Sequence, residues 1–280
     1  MTDTYKDHLD KVIANADRAL AKDGFEHLII ASGVEKVAFL DDLHYPFKPN
    51  PQFKYWLPLT QHPNCWIAHT SGCKPVLVYY QPDDYWHVPP SAPNGEWLEY
   101  FDIRIIHDPA EAAKHLPDPA RSAIIGEADA ALGAYIPNNP GALLDYLHYH
   151  RAYKTPYELA LMRKAQAKAV RGHAAAEQAF RAGGSEAQIN AAFLAASGHT
   201  DLDVPYNNIV ALNENGATLH YQYKSFNKPA HHRSLLIDAG AEYGGYAADI
   251  TRTYGNGFEL FEQLIAAVDK EQLALCAQVK

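Results

Sequence analysis

Two aspartates, Asp238 and Asp249, stand in a segment whose pattern can bring them together. It runs Leu235-Leu236-Ile237-Asp238-Ala239-Gly240-Ala241-Glu242-Tyr243 and, after Gly244-Gly245, Tyr246-Ala247-Ala248-Asp249-Ile250-Thr251-Arg252-Thr253. Two β-prone runs around a Gly-Gly pair have the form of a hairpin. With the turn centred between Tyr243 and Gly244, Asp238 is set directly opposite Asp249. Directly opposed residues share a sheet face, with Cβ atoms about 4.5–5.5 Å apart. Carboxylates so placed repel and are costly to bury, and divalent cations supply the compensation; two ions about 3.5–4 Å apart suit the separation. Thr251 and Thr253 continue the Asp249 face, so Thr251 is placed to orient a ligand. Gly240, Ala241, Ala247 and Ala248 leave room around the pair. The residues alone allow a second reading, in which one aspartate opens the turn and the other is solvated on an edge strand.

These side chains need a scaffold, and the rest of the chain describes one. Tyr5, Leu9, Val12, Ile13, Ala16 and Leu20 have helical spacing, with a stop near Gly24. Strand-like runs follow at Leu28–Ile30, Val37–Leu40, Val76–Tyr80, Ile103–Ile106 and Ala123–Ile125, and a helix spans Gly141–Arg151. Strands interleaved with helices predict an α/β layer domain. The Pro- and aromatic-rich stretch from Asp41 to Asn64 reads as a long irregular loop. Thr155-Pro156-Tyr157-Glu158 forms a capping box with proline at the first helical position, opening an alanine-rich helix that ends at Gly183-Gly184. Ser185 and Gln188 repeat the device for a helix ending near Gly198. Strands are expected again at Ile209–Leu212 and Ser234–Asp238, and a helix from Phe258 to Val279 without a C-cap. The boundary is placed near residue 155, giving domains 1–154 and 155–280.

Composition narrows the function. The formal net charge is −9, from 24 basic and 33 acidic residues. No cluster of Lys or Arg offers a phosphate footprint, so nucleic acid is not expected as a partner. Three widely spaced cysteines, Cys65, Cys73 and Cys276, form neither a disulfide framework nor a zinc cage. The charged start lacks a signal-peptide apolar core, and no run approaches the ~18 apolar residues of a membrane span. A cytoplasmic location without membrane contact is the expectation.

At the hairpin the sequence resembles the metallopeptidase family that includes methionine aminopeptidases, Xaa-Pro aminopeptidases and prolidases, with the pita-bread fold. IDAGAEYGGYAADITRTY (Ile237–Tyr254) resembles the family's two-aspartate hairpin. His220 stands 18 residues before Asp238 and Asp249 stands 11 after it, the family's spacing for its active-site histidine and first two ligands. VPYNNIVALNENGATLHY (Val204–Tyr221) resembles the bacterial prolidase form of the histidine-bearing strand. FLDDLHYPFKPNPQFKYWLP (Phe39–Pro58) and LHYHRAYKTPYELALMRKA (Leu147–Ala165) extend the likeness upstream, to a group that includes enzymes hydrolysing organophosphorus esters.

The resemblance implies an N-terminal α/β domain followed by the first half of an α+β pita-bread domain. It implies a dinuclear site in which Asp238 ligates one metal and Asp249 bridges two, manganese being favoured by oxygen-rich ligands. His220 is expected to hydrogen-bond the substrate carbonyl or the tetrahedral intermediate. Tyr206 either lines the substrate pocket or packs. Asp42 either meets a dipeptide's free amine, from a loop that caps the partner subunit's site in a homodimer, or is solvated. Phe53, Tyr55, Trp56 and Trp66 are read as core or interface, and His173, His199, His231 and His232 as surface or loop histidines. The implied substrates are Xaa-Pro dipeptides. The alternatives are an Xaa-Pro aminopeptidase and a non-catalytic binding or dimerisation module. The family completes its metals with a later histidine and two glutamates, and no residue up to Lys280 matches them. The chain is therefore expected to be part of a longer enzyme and inactive alone.

Overall fold

A computed structural model describes residues 4–279. The chain divides into two compact units, Met1–Ala160 and Leu161–Lys280.

In the first unit, α1 (Thr4–Asp23) buries Tyr5, Leu9, Val12, Ala16, Ala19 and Leu20, the stripe expected from its spacing, and ends at Gly24 with φ +77°. There follow β1 (His27–Ala31), α2 (Pro51–Trp56), β2 (Trp66–Thr70), β3 (Val76–Tyr80), β4 (Asp102–Ile106), β5 (Ser122–Ile125) and α3 (Gly141–Arg151). The strands form one mixed sheet in the order β4-β3-β2-β1-β5; β1 and β5 are parallel, as are β3 and β4, and the other pairs are antiparallel. Alternation along β1 sends Leu28 and Ile30 into the core beneath α1 and Ile29 and Ala31 into a second core on the opposite face.

Two expectations fail here. Val37–Leu40 is not a strand: a single bridge joins Val37 to His44, and Leu40 takes φ +58°. The Asp41–Asn64 stretch is not uniformly irregular, because Asn50 caps Gln52 N–H and Pro51 opens α2. Phe53, Tyr55, Trp56 and Trp66 are core residues.

The capping box forms as read: Thr155 N–H donates to Glu158 Oε2 at 2.8 Å and Glu158 N–H to Thr155 Oγ1 at 3.3 Å. It also holds a buried histidine. His8 Nε2 lies 2.7 Å from the carbonyl of Tyr55 and must donate, so Nδ1 accepts from the Thr155 hydroxyl at 2.9 Å. Burial pushes His8 below its ordinary value of 6.5, against the Tyr55 bond and the Glu158 charge, which raise it. The ring is neutral, so its approach to Glu158 is not an ion pair. Burial lowers His62 and, in the second unit, His173 in the same way. A lowered folded pKa means that stability is complete above about 6.5 and is lost as pH falls through the folded values, by up to about 1.4 kcal/mol per histidine per unit of pH. The urea midpoint is expected to drop between pH 7.5 and 5.5; a flat profile contradicts neutral buried rings.

The second unit contains most of α4 (Pro156–Arg181), then α5 (Glu186–Ser197), β6 (Ile209–Leu212), β7 (Ser234–Tyr243), β8 (Tyr246–Gly255) and α6 (Glu259–Cys276). β6, β7 and β8 make an antiparallel sheet in that order. One face packs on α4 and α5 through Phe180, Ile189, Phe193, Val210, Leu235 and Ile237. Towards the hairpin tip Ala165 and Ala169 of α4 meet Ala241 and Ala248. Those two hairpin alanines thus admit a helix on the far face; they do not leave room beside the aspartates. His173 is also on this side, buried, its Nε2–H donating to the Ala239 carbonyl at 3.0 Å, and is not the surface histidine expected. α6 buries none of its residues. Among the described residues no helix is long and apolar enough to cross a membrane.

Candidate functional site

The hairpin turn is centred one residue later than the Tyr243–Gly244 centre expected from the sequence. Tyr243 pairs with Tyr246 across a two-residue turn, with Gly244 at φ +57° and Gly245 at φ +87°. Both positions require positive φ, which glycine adopts without strain. The pairing therefore sets Asp238 opposite Thr251 and Asp249 opposite Gly240. Asp238 and Asp249 are diagonal neighbours and not direct partners. They still share a face, because the offset is a whole alternation of the pleat.

Tyr206 joins them. Its hydroxyl lies 2.8 Å from Asp238 Oδ1 and 2.9 Å from Asp249 Oδ1. One phenolic proton faces two acceptors, so it is shared and offsets part of the repulsion between the carboxylates. Burial of the ring, then the two hydrogen bonds and the two negative charges, push the Tyr206 phenol far above the usual tyrosine range. It remains a neutral donor at any working pH. Gly240 makes room for it: a Cβ there would lie 2.2 Å from the Ala248 carbonyl oxygen and 2.7 Å from the Tyr206 ring.

Two carboxylates converging on one point offer four hard oxygens, the donor chemistry of a hard divalent cation. Two charges of −1 do not balance two dipositive ions, and four oxygens do not fill two coordination shells, so these residues fit part of a dinuclear site. Among the described residues no three His, Cys, Asp or Glu side chains group as metal ligands.

His220 is not on a strand. It occupies an exposed turn at residues 218–220, after a 3₁₀ turn at Asn213–Ala217, and among the described residues no hydrogen bond ties its ring to either aspartate. Asp42 lies in the first unit, exposed, with its N–H donating to Asp41 Oδ1 at 2.7 Å. A cleft of about 540 Å³ opens further along the aspartate face, between Ser234, Leu236, Thr251 and Thr253 and the α6 side chains Phe261 and Ile265. Its walls include none of Asp238, Asp249, Tyr206 and His220, so it adjoins the carboxylate pair and does not contain it. One residue escaped the sequence reading altogether. Glu186, the sole charged residue of α5, is buried and accepts four hydrogen bonds from Leu212, Asn215, Tyr221 and Ser225. A lone acid at the head of an otherwise uncharged helix was the available signal.

Residues 3–149 match the family described as Xaa-Pro dipeptidase, N-terminal domain, and residues 160–280 match metallopeptidase family M24. The Xaa-Pro dipeptidase of Stenotrophomonas maltophilia (strain R551-3) is 52% identical over 278 residues, covering 99% of this chain and 63% of its own length. That of Xanthomonas euvesicatoria pv. vesicatoria (strain 85-10) is 53% identical over 282 residues, covering 100% and 64%. The chain thus spans less than two thirds of these relatives. Among solved structures, the low-pH form of aminopeptidase P from E. coli superposes with a TM-score of 0.65 at 21% identity, over 88% of this chain and 62% of that one. Aminopeptidase PepP of Pseudomonas aeruginosa gives 0.63 at 21%, with the same coverage of 88% and 62%. At that identity the likeness concerns the fold: an N-terminal α/β domain followed by part of a pita-bread domain. The chain belongs to the Xaa-Pro dipeptidase family, its second unit carrying the opening part of an M24 metallopeptidase domain.

Proposed function

We propose that this chain is the larger part of a metal-dependent Xaa-Pro dipeptidase, with the boundary near residue 155 separating a capping and dimerisation domain from the metallopeptidase domain. The observation that carries the reading is the identity of 52% to a curated Xaa-Pro dipeptidase over 99% of the chain, the aspartate hairpin included. The likeness to aminopeptidase P rests on fold at 21% identity, so dipeptides are favoured over longer peptides.

In this reading Asp238 and Asp249 hold two divalent ions, manganese by preference for oxygen donors, together with ligands beyond Lys280. Divalent ions held there would supply a lowered pKa for water and polarisation of the scissile carbonyl. The chain's own residues bind and orient. Tyr206, locked in its neutral form, donates its hydrogen bond to the two carboxylates and fixes their orientation. His220, exposed and with no hydrogen-bond partner among the described residues, donates to the oxygen of the attacked carbonyl, where negative charge develops. Asp42 accepts from the dipeptide's ammonium, from the partner subunit of a homodimer. The protein acts in the cytoplasm.

Hydrolysis of Ala-Pro and of Ala-Pro-Ala, with manganese, tests the reading on this chain and on a form extended to the length of its relatives. The extended form is expected to cleave Ala-Pro and this chain to be inert. No activity in either sinks the dipeptidase reading, preference for the tripeptide moves it to an aminopeptidase, and activity in this chain overturns the incomplete donor count.

A further inference from the structure

We propose that Glu186 is the positioning residue for His220, a role that rests on the reading of His220 as a substrate-facing group. The chain leaves the sheet at Leu212, makes the excursion that carries His220, and is back beside α5 at Ser225. Both ends and the middle of that excursion return to one carboxylate. Glu186 Oε1 accepts from the Leu212 N–H and from Asn215 Nδ2, each at 2.9 Å. Oε2 accepts from the Tyr221 hydroxyl at 2.8 Å and the Ser225 N–H at 2.9 Å. Asn215 Nδ2 also lies 3.0 Å from the Tyr221 hydroxyl, and Ala187 N–H donates to the Ser225 carbonyl at 3.1 Å. Tyr221 is the residue next to His220.

The excursion has no apolar anchor that could do the same work. Leu219, Tyr223 and Phe226 are 84%, 78% and 86% exposed, whereas Glu186 is 1% exposed. A buried carboxylate is costly unless its lone pairs are filled, and here four donors fill them. Its place at the first residue of α5, entered through the Ser185–Gln188 capping box, adds the favourable field of a helix N-terminus. Burial pushes the carboxyl up, but the bonds from Leu212, Asn215, Ser225 and Tyr221 outweigh it and hold the group below its ordinary value. Glu186 is therefore ionised at working pH and closes the loop as a charge-assisted clamp. Substrate carbonyl oxygens must be met at hydrogen-bond distance, and a displacement of about 1 Å costs on the order of 100-fold in rate. Among the described residues no hydrogen bond fixes His220, so its placement depends on the backbone that Glu186 holds.

Glu186→Gln replaces one acceptor oxygen by an NH2 group, which faces a donor it cannot satisfy. Two readouts test the proposal. In the 280-residue chain, hydrogen exchange of the Leu212 and Ser225 amides is expected to quicken at least about tenfold in Glu186→Gln, with β7 and β8 unchanged; unchanged exchange overturns the clamp. In the extended form, Glu186→Gln is expected to lower kcat for Ala-Pro about 10- to 100-fold at unaltered manganese content, but by less than about twofold in a His220→Ala background. Ile189→Val, which loosens α5 without touching the loop, is expected to act alike in both backgrounds. Equal losses from Glu186→Gln in both backgrounds reduce Glu186 to a structural role and overturn the proposal. An extended form that is inactive in every background, while exchange has quickened, brings down the dipeptidase reading and the positioning role with it, and leaves only the clamp.

Discussion

Asp249→Asn is expected to remove the two-ion stoichiometry of the extended protein and with it all measurable hydrolysis. Asp249 is exposed at the rim of the pair and Asp238 is half-buried beside it, both within 2.9 Å of the same phenolic oxygen. The asparagine keeps one oxygen but puts an NH2 group in place of the other, a donor where the proposed site needs an acceptor, and it halves the negative charge the pair contributes. Loss of a partner behind a ligand already costs about 10–100-fold in metal affinity, so loss of a ligand is expected to exceed 100-fold. Metal content after dialysis, read by atomic emission, checks this, and two ions per chain in the variant would contradict the assignment. His220→Ala provides the contrast: both ions retained, kcat reduced on the order of 100–1,000-fold, the loss typical of one oxyanion donor. A variant of His220 that loses metal would place the histidine among the ligands.

The second large effect comes from a residue with no side chain. In Gly240→Ala the new Cβ meets the Ala248 carbonyl oxygen at 2.2 Å, the Tyr206 ring at 2.7 Å and the Pro205 ring at 3.1 Å. The nearest obstacle is backbone of the paired strand, and it cannot move without opening the β7–β8 ladder beside Asp249. Ordinary overpacking costs about 1–3 kcal/mol. Here relief requires breaking strand pairing or swinging Tyr206 off both carboxylates, so a loss of about 3 kcal/mol or more is expected. Urea unfolding of the 280-residue chain measures it. A loss below about 1 kcal/mol would show that the hairpin accommodates a methyl group and that the close approach is not obligatory. If stability survives but manganese affinity falls, the methyl group has been accommodated by moving Tyr206, which locates its effect at the carboxylates.

Much of this architecture was local enough to be legible in the chain. The caps at Thr155 and Ser185, the stop at Gly198 and the strand-forming runs at 76–80 and 209–212 depend on neighbours a few residues apart, and all appear. Val37–Leu40 misled because apolar β-prone residues without a partner strand have no ladder to join; Phe39 and Leu40 remain 92% and 90% exposed. His173 misled because helical spacing alone does not say which face of α4 meets the sheet.

The aspartate pair divides along the same line. Alternation in sequence determined that Asp238 and Asp249 share a face, and moving the turn centre from Tyr243–Gly244 to Gly244–Gly245 left that intact, since it shifts each partner by two residues and the pleat repeats every two. What stands opposite each acid, Thr251 and Gly240, was decided by turn geometry, where positive φ fits both glycines and not Tyr243. Tertiary structure alone supplied the phenol between the carboxylates, 32 and 43 residues away, and the carboxylate beneath the His220 loop, 26 to 39 residues from the groups it binds. Contacts at such separation leave no periodicity in the chain. They exist because burial forces each polar atom to find a partner, and only the packed fold determines which partner is in reach.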